Sequence, residues 1–247
     1  MSADSTPMLV FVHGGQHTGA CWQPTIDAIT NADRTVATLA VDLPGRRDEH
    51  GDLARLTIGQ CVDSVIRQID EAGADRVVLV GHSMAGITLP GVATQLGAAR
   101  VHRMIYLACC VPPQGKTVLS TLQPPVSWIA GAMSRFVRVS KPLPAPIATW
   151  MFANGLTKEQ KRQVVAGLVP ESAVVTKEVV DRSNMPDLPT TWILTLRDHS
   201  LKPRAQREFA ANLGNVDEIV EIDTCHNAMI SQPGQLARLL LDRVRRA

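Results

Sequence analysis

The chain lacks an excess of charge of either sign. Its 25 Lys and Arg against 23 Asp and Glu leave a formal net charge of +2, and nothing in that balance marks a nucleic-acid or polyanion partner. The cluster Arg243, Arg245 and Arg246 reads as a solvated helix terminus. No apolar stretch is long enough to span a bilayer, so no membrane partner is expected. The opening Met1-Ser2-Ala3-Asp4 lacks a charged segment followed by an apolar run, so no signal peptide is expected. The five cysteines are odd in number and have no C-x-x-C spacing. That argues against a disulfide framework or zinc site and for a reducing cytoplasm. Internal repeats and low-complexity tracts are also missing.

What is present is 247 residues, 45% of them hydrophobic, enough for one large core or two small ones. Large α/β folds often fill this length as a single domain. Residues 8–111 alternate short β-branched runs with helical patterns. Strands are predicted at Met8–Val12, Thr35–Val41, Arg76–Val80 and Val101–Leu107, and helices at Trp22–Asn31, Thr57–Ala72 and Met84–Leu96. Apolar residues at 58, 62, 65, 66 and 69 occupy one helical face. Such alternation implies a doubly wound, mostly parallel sheet covered by helices on both faces. The rhythm breaks after Cys110. Ten of the sixteen prolines, and the aromatics Trp128, Phe136, Trp150 and Phe152, fall within Pro112–Pro189. Thr157–Gly167 is the clearest helix there. A segment that leaves the sheet for so long reads as a helical cap inserted at about 112–189, with the core in 1–111 and 190–247. The regular pattern resumes with a strand at Thr191–Leu196, a helix at Pro203–Leu213, a strand at Glu218–Ile222 and a helix at Pro233–Val244.

The most informative feature is Leu79-Val80-Gly81-His82-Ser83-Met84-Ala85-Gly86. An apolar strand runs into a glycine and a serine, and a helical pattern follows at once. This is the context of a nucleophile elbow, a turn sharp enough to lift one serine hydroxyl out of the sheet. The strict pattern is G-x-S-x-G; here Ala85 holds its last position and Gly86 comes one residue late. A nucleophilic serine needs a base, and the base needs an orienting carboxylate. In doubly wound hydrolases these follow on later loops in the order Ser, Asp/Glu, His. Asp198 closes one later strand, and His226 follows the next in Asp223-Thr224-Cys225-His226. The first strand ends in His13-Gly14-Gly15, a turn that can aim a backbone N–H at the site. The oxyanion donors are assigned to the N–H groups of Gly15 and Met84; such donors are worth about 3–4 kcal/mol each.

Other candidates carry plainer readings. His82 packs or hydrogen-bonds structurally. His17 contacts substrate or makes a loop hydrogen bond. His199 is a base only if the strand assignment fails. Asp42 orients a group at the sheet edge or caps the Pro44-Gly45 turn, and Cys225 is a small buried hydrophobe.

These residues resemble the α/β-hydrolase superfamily, and within it the plant methylesterase and hydroxynitrile lyase group with its bacterial relatives. Phe11-Val12-His13-Gly14-Gly15-Gln16-His17-Thr18-Gly19-Ala20-Cys21-Trp22 is similar to the group's opening loop. Gly81–Gly86 matches its elbow apart from Ala85. Leu196–Pro203 and His226–Pro233 resemble its acid and histidine loops, with Cys225 in place of an acidic residue. The resemblance covers both sheet halves and is weak across the cap. The group's lyases carry a Thr after the first loop's His and a Lys after the catalytic His, where this chain has Gly14 and Asn227. Gly14 leaves room for a tetrahedral intermediate, and without the lysine no cation receives cyanide.

The resemblance and the residues together imply an α/β-hydrolase fold and a serine esterase. Its expected substrate is a small to medium, moderately hydrophobic ester or lactone, cleaved without cofactor or metal. Gly14, His17, Trp128 and Trp150 are the expected substrate-binding residues. A carbon–carbon bond hydrolase or lyase on the same triad is the enzymatic alternative, and a ligand-binding protein without turnover is the non-enzymatic one. A homodimer is left open.

Overall fold

Alternate residues of the central strands enter two different cores, and this two-residue period sets the layers of the molecule. The computed structural model describes residues 6–121 and 136–246. Strand β1 (Met8–Val12) sends Leu9 and Phe11 to one side and Val10 and Val12 to the other. Strand β3 (Val77–His82) divides Val78 and Val80 from Val77 and Leu79 in the same way, and β4 (Val101–Leu107) divides Ile105 and Leu107 from Met104 and Tyr106. On the first side the helices Gln23–Ala32 and Pro233–Arg245 cover the sheet with Ile29, Leu236, Leu240 and Val244. On the second side the helices Ile58–Glu71, Leu89–Arg100 and Pro203–Leu213 bring Val62, Val65, Ile69, Val92, Phe209 and Leu213. Each such side chain contributes roughly 1.5–3 kcal/mol on full burial.

With β2 (Thr38–Val41), β7 (Thr190–Thr195) and β8 (Glu218–Ile222), the strands form a six-stranded sheet in the order β2-β1-β3-β4-β7-β8. Every described pairing in it is parallel. From β1 the chain steps outward to β2, then crosses back to β3 on the other side of β1. The loops after β1 and β3 therefore diverge, and a crevice opens at the carboxyl ends of those two strands, the usual place for a ligand in an open α/β sheet. The predicted doubly wound fold is the observed one.

Two predicted starts move by three residues or more, and the strand expected to end at Val80 and the helix expected to end at Leu96 run on to His82 and Arg100. Strand β2 starts at Thr38, three residues later than the expected Thr35. The helix expected from Met84 begins at Leu89, and residues Ser83–Ile87 form a 3-10 turn instead. Pro90 is the reason. It has no N–H to donate, so it fits only the first turn of an α-helix, and a helix running from Met84 would carry it in the interior.

Between β4 and β7 the chain leaves the sheet. It forms a short antiparallel pair, β5 (Val139–Ser140) with β6 (Glu171–Ser172), and the helices Ala145–Phe152 and Lys158–Ala166. Thr157 opens the second helix with a capping box: its hydroxyl accepts from Gln160 N–H at 3.2 Å, and Gln160 Oε1 accepts from Thr157 N–H at 3.1 Å. Phe152, Leu156 and Val164 from this segment join the first core beside Ala228, Met229 and Ile230. Among the described residues, no helix is long and apolar enough to cross a membrane.

The shifted glycine of the elbow has a packing reason. A Cβ on Gly86 would fall 2.4 Å from the Cys110 carbonyl oxygen, so Gly86 is where the elbow meets the end of β4. The buried methyl of Ala85 is accommodated beside Gly81. Gly86→Ala is therefore expected to lower stability by about 1–3 kcal/mol through overpacking. Ala85→Gly, which restores the usual spelling, should give no gain. Urea unfolding midpoints check both, and a neutral Gly86→Ala would contradict the packing account.

Candidate active site

Ser83 follows the last residue of β3 and sits at φ +53°, in the left-handed region. An L-residue held there stores strain and turns its side chain out of the strand's path. The Cys110 N–H donates to the Ser83 carbonyl at 2.9 Å, which fixes the turn against the loop after β4.

Three of the sequence-predicted residues meet in one hydrogen-bonded series. His226 Nδ1 lies 2.6 Å from Asp198 Oδ2, and His226 Nε2 lies 3.0 Å from Ser83 Oγ. A carboxylate only accepts, so Nδ1 carries the proton and Nε2 is left to accept the serine hydroxyl. Asp198 and His226 are buried. The Asp198 carboxylate is saturated by donors: Ser200 N–H at 2.7 Å, Leu201 N–H at 2.8 Å, the Thr195 hydroxyl at 2.9 Å and Gln206 Nε2 at 3.3 Å. These bonds compensate its desolvation and fix its orientation. Thr195 and Gln206 escaped the sequence reading. The available signal was Gln206 on the buried face of the helix Pro203–Leu213, where a glutamine needs partners.

The first loop closes on the elbow. A Cβ on Gly14 would lie 2.7 Å from Ser83 Cβ, so only glycine allows this approach there, whereas one on Gly15 would meet the movable Met84 Sδ at 2.8 Å. The Gly14 carbonyl accepts from His13 Nδ1 at 2.8 Å and from His17 N–H at 3.3 Å. In a trans peptide the next N–H points the opposite way, so Gly15 N–H faces away from those donors. Met84 N–H, in the first turn after Ser83, has no acceptor within its own turn.

Four histidines crowd this edge, and three are held neutral. Burial pushes His13 down to about 3 and His17 down to about 4, with the Arg46 charge adding to both. Burial, and then the neighbouring His226 and His17, hold His82 well below the ordinary range. His82 Nε2 donates to the His226 carbonyl at 3.1 Å, a structural role. His17 donates from Nδ1 to the Gly15 carbonyl at 2.8 Å and accepts at Nε2 from Asn227 Nδ2 at 3.1 Å. It also lines a cavity of about 410 Å³ with Cys21, Pro24, Val164 and Ile230.

The remaining candidates divide. Trp150 is not brought to the serine. It is 57% exposed and packs against His199 with the rings tilted by 35° and their centroids 5.0 Å apart, on the outer face of the helix Ala145–Phe152. Phe152, two residues on, faces inward and stacks on the His226 ring at 5.6 Å. Trp128 lies outside the described residues. Asp42 does not cap the Pro44-Gly45 turn; it accepts from Gly19 N–H at 2.7 Å and pairs with Arg47. Burial pushes the Cys225 thiol up, in keeping with a small buried side chain. Among the described residues, no three His, Cys, Asp or Glu side chains converge to hold a metal ion.

The chain is similar to several known proteins. The sequence profile of the alpha/beta hydrolase family matches residues 9–239. A carbendazim-hydrolyzing esterase from Nocardioides sp. (strain SG-4G) is 30% identical over 148 residues, 56% of this chain and 60% of its own length. The match thus spans less than two thirds of that relative. Methylesterase 18 of Arabidopsis thaliana is 23% identical over 252 residues, 94% of this chain and 95% of the relative. Among solved structures, an extracellular alpha/beta-hydrolase from a Paenibacillus species superposes with a TM-score of 0.84 at 18% identity, over 96% of this chain and 98% of that one. That protein is described as sharing structural and functional homology with tobacco salicylic acid binding protein 2.

The neutral histidines set an acid limit on stability. Their folded-state pKa values lie below the unfolded value of 6.5, so the unfolded chain binds more protons at mildly acid pH. Their stabilising contribution is complete above pH 6.5 and is lost as pH falls towards 4 for His17 and 3 for His13. The loss is on the order of 2–3 kcal/mol each by pH 4. Urea midpoints measured at pH 7.5, 5.5 and 4.5 should fall steadily; a flat profile would contradict the burial of neutral imidazoles.

Proposed function

The chain belongs to the alpha/beta hydrolase family, and on that premise we propose that it is a serine esterase, a carboxylic ester hydrolase working through an acyl-enzyme. The observation that carries this reading is the unbroken series Ser83 Oγ, His226 Nε2, His226 Nδ1, Asp198 Oδ2, with steps of 3.0 and 2.6 Å, on a serine at φ +53°. The relatives named as esterases and methylesterases support it.

Ser83 Oγ attacks the ester carbonyl carbon as its proton passes to His226 Nε2. Asp198 keeps the proton on Nδ1 and stabilises the imidazolium that forms. The carbonyl oxygen becomes an oxyanion held by Gly15 and Met84 N–H groups. His226 then gives its proton to the leaving alkoxide, which departs as the alcohol. Water enters, loses a proton to His226 and attacks the acyl carbon. Collapse of the second intermediate returns the proton to Ser83 and frees the acid. Gly14, expected from the sequence to leave room for the tetrahedral centre, instead lets the first loop close on the elbow, because Ser83 Cβ and His82 fill the place its side chain would take.

The cavity beside His17 has a volume suited to a small to medium ligand; its walls join Cys21, Pro24, Val164 and Ile230 to Thr18, Gln23, Asp27 and Gln163 and do not include Ser83, so it supports a moderately hydrophobic ester or lactone only as a space next to the triad. Hydrolysis is favoured over cyanohydrin cleavage because Asn227 is neutral, buried and engaged with His17, so it offers no cation to a leaving cyanide. The five cysteines are unpaired, which supports a reducing cytoplasm.

A fluorophosphonate probe should label Ser83 and no other residue, as read by peptide mapping. Hydrolysis of p-nitrophenyl acetate should show a burst that Ser83→Ala abolishes. Asp198→Asn should lower kcat by roughly 10⁴ with a folded protein, because an amide donates to Nδ1 and imposes the wrong tautomer. Labelling elsewhere, or full activity in either variant, would remove the assignment.

A further inference from the structure

The residue after the proposed oxyanion donor Gly15 is itself strained. Gln16 is a non-glycine residue at φ +59°, and its peptide is gripped from outside its own loop. Gln16 N–H donates to Glu171 Oε2 at 2.8 Å. The other carboxylate oxygen, Oε1, accepts from Arg46 Nη2 at 2.7 Å and from Ser172 N–H at 2.8 Å. Arg46 Nε in turn donates to the His17 carbonyl at 3.2 Å. One ion pair thus holds the N–H of Gln16 and the carbonyl of His17, the two ends of the short stretch that follows Gly15. The pair is buried, with the side chains of Arg46 and Glu171 only 1% and 10% exposed. Arg46 comes from the loop after β2 and Glu171 from the inserted segment, far from each other and from Gln16 in sequence.

The same carboxylate stands close to the place where negative charge would develop. Glu171 Oε2 lies 3.4 Å from the position a Cβ would take on Gly15. Unpaired, it would repel an oxyanion at the Gly15 N–H; paired with Arg46, it does not. We propose that Arg46 and Glu171 are positioning residues for ester cleavage: their ion pair holds Gln16 left-handed, so aims the Gly15 N–H, and Arg46 cancels a charge that would oppose the oxyanion. This inference rests on the serine-esterase reading above.

The test compares kcat and KM for p-nitrophenyl acetate with the Ki of a trifluoromethyl ketone, whose serine adduct carries the oxyanion. Four proteins are used: wild type, Arg46→Met, the double variant Arg46→Met/Glu171→Met and Arg46→Lys, each with its thermal melt. Arg46→Met leaves a bare carboxylate beside Gly15 and should lose most kcat. The double variant removes both charges, and replacement by apolar groups of similar size avoids burying a lone ion. It should melt above Arg46→Met yet keep a kcat roughly 10- to 100-fold below wild type, with Ki weakened in parallel and KM within about 3-fold. Arg46→Lys keeps the charge but not the fork that reaches both Glu171 and His17, and should lose roughly 3- to 10-fold in kcat and Ki together. A purely structural pair predicts wild-type kcat and Ki in every variant that folds, and that result would overturn the proposal. Should the double variant melt below the assay temperature, Arg46→Lys decides alone: a parallel loss supports the proposal and unchanged values overturn it. Failure of the fluorophosphonate to label wild-type Ser83 would overturn the esterase reading together with this inference, whereas full turnover in the folded variants overturns only the inference.

Discussion

Ser83 is held in a backbone conformation that an L-residue avoids, and the carboxyl edge of the sheet is arranged to keep it there. Such strain costs on the order of 1–3 kcal/mol and persists only where surrounding contacts over-determine it. Here they do. The Ser83 carbonyl is bonded by Cys110 N–H, Gly86 packs on the Cys110 carbonyl, and Gly14 stands where any side chain would strike Ser83. The strain is not confined to one residue. All four described non-glycine residues with positive φ (Gln16, Arg47, Ser83 and Ala108) lie in the loops that follow β1, β2, β3 and β4. The positive-φ strain is concentrated where the topology opens a crevice, whereas the register shift between β3 and β4, at Val77 and Val78, lies at the opposite end of the strand.

Charge at this edge is handled by separation of roles. His13, His17 and His82 are buried and neutral, and each spends a ring nitrogen on a backbone carbonyl. They shape the loops without adding a competing base. Asp198 is the carboxylate joined to a ring, and its remaining capacity is absorbed by two backbone N–H groups, Thr195 and Gln206. A carboxylate so held has one orientation and gives His226 one tautomer. The polarity of the series is therefore set by fixed bonds, not by solvent.

The inserted segment is bonded to both sides of the site. At one end Phe152 stacks on His226, Asn227 N–H donates to the Phe152 carbonyl at 3.4 Å, and Gln160 Nε2 donates to the Ile230 carbonyl at 3.0 Å. At the other end Gln16 donates to the Lys141 carbonyl, accepts from Leu143 N–H and receives Val169 N–H at its own carbonyl, each at 3.0 Å. The loop of the histidine and the loop of the glycines are thus tied to one insertion, and the order of that insertion bears on both.

The amino-acid sequence by itself determined the sheet, because strand alternation and helix periodicity are local patterns imposed by the backbone's own repeat. It also determined the order of Ser83, Asp198 and His226, since each closes a recognisable strand. It left open whatever depends on residues distant in the chain. Trp150 and Phe152 are two positions apart, with nothing local to rank them, yet helix geometry and docking turn Phe152 to the histidine and Trp150 to solvent. Gln206 and Thr195 gain their meaning only when the helix Pro203–Leu213 folds back on the end of β7. Arg46 and Glu171 stand 125 positions apart and read alone as ordinary surface charges. Only the tertiary structure removes them from water, and burial makes their pairing obligatory.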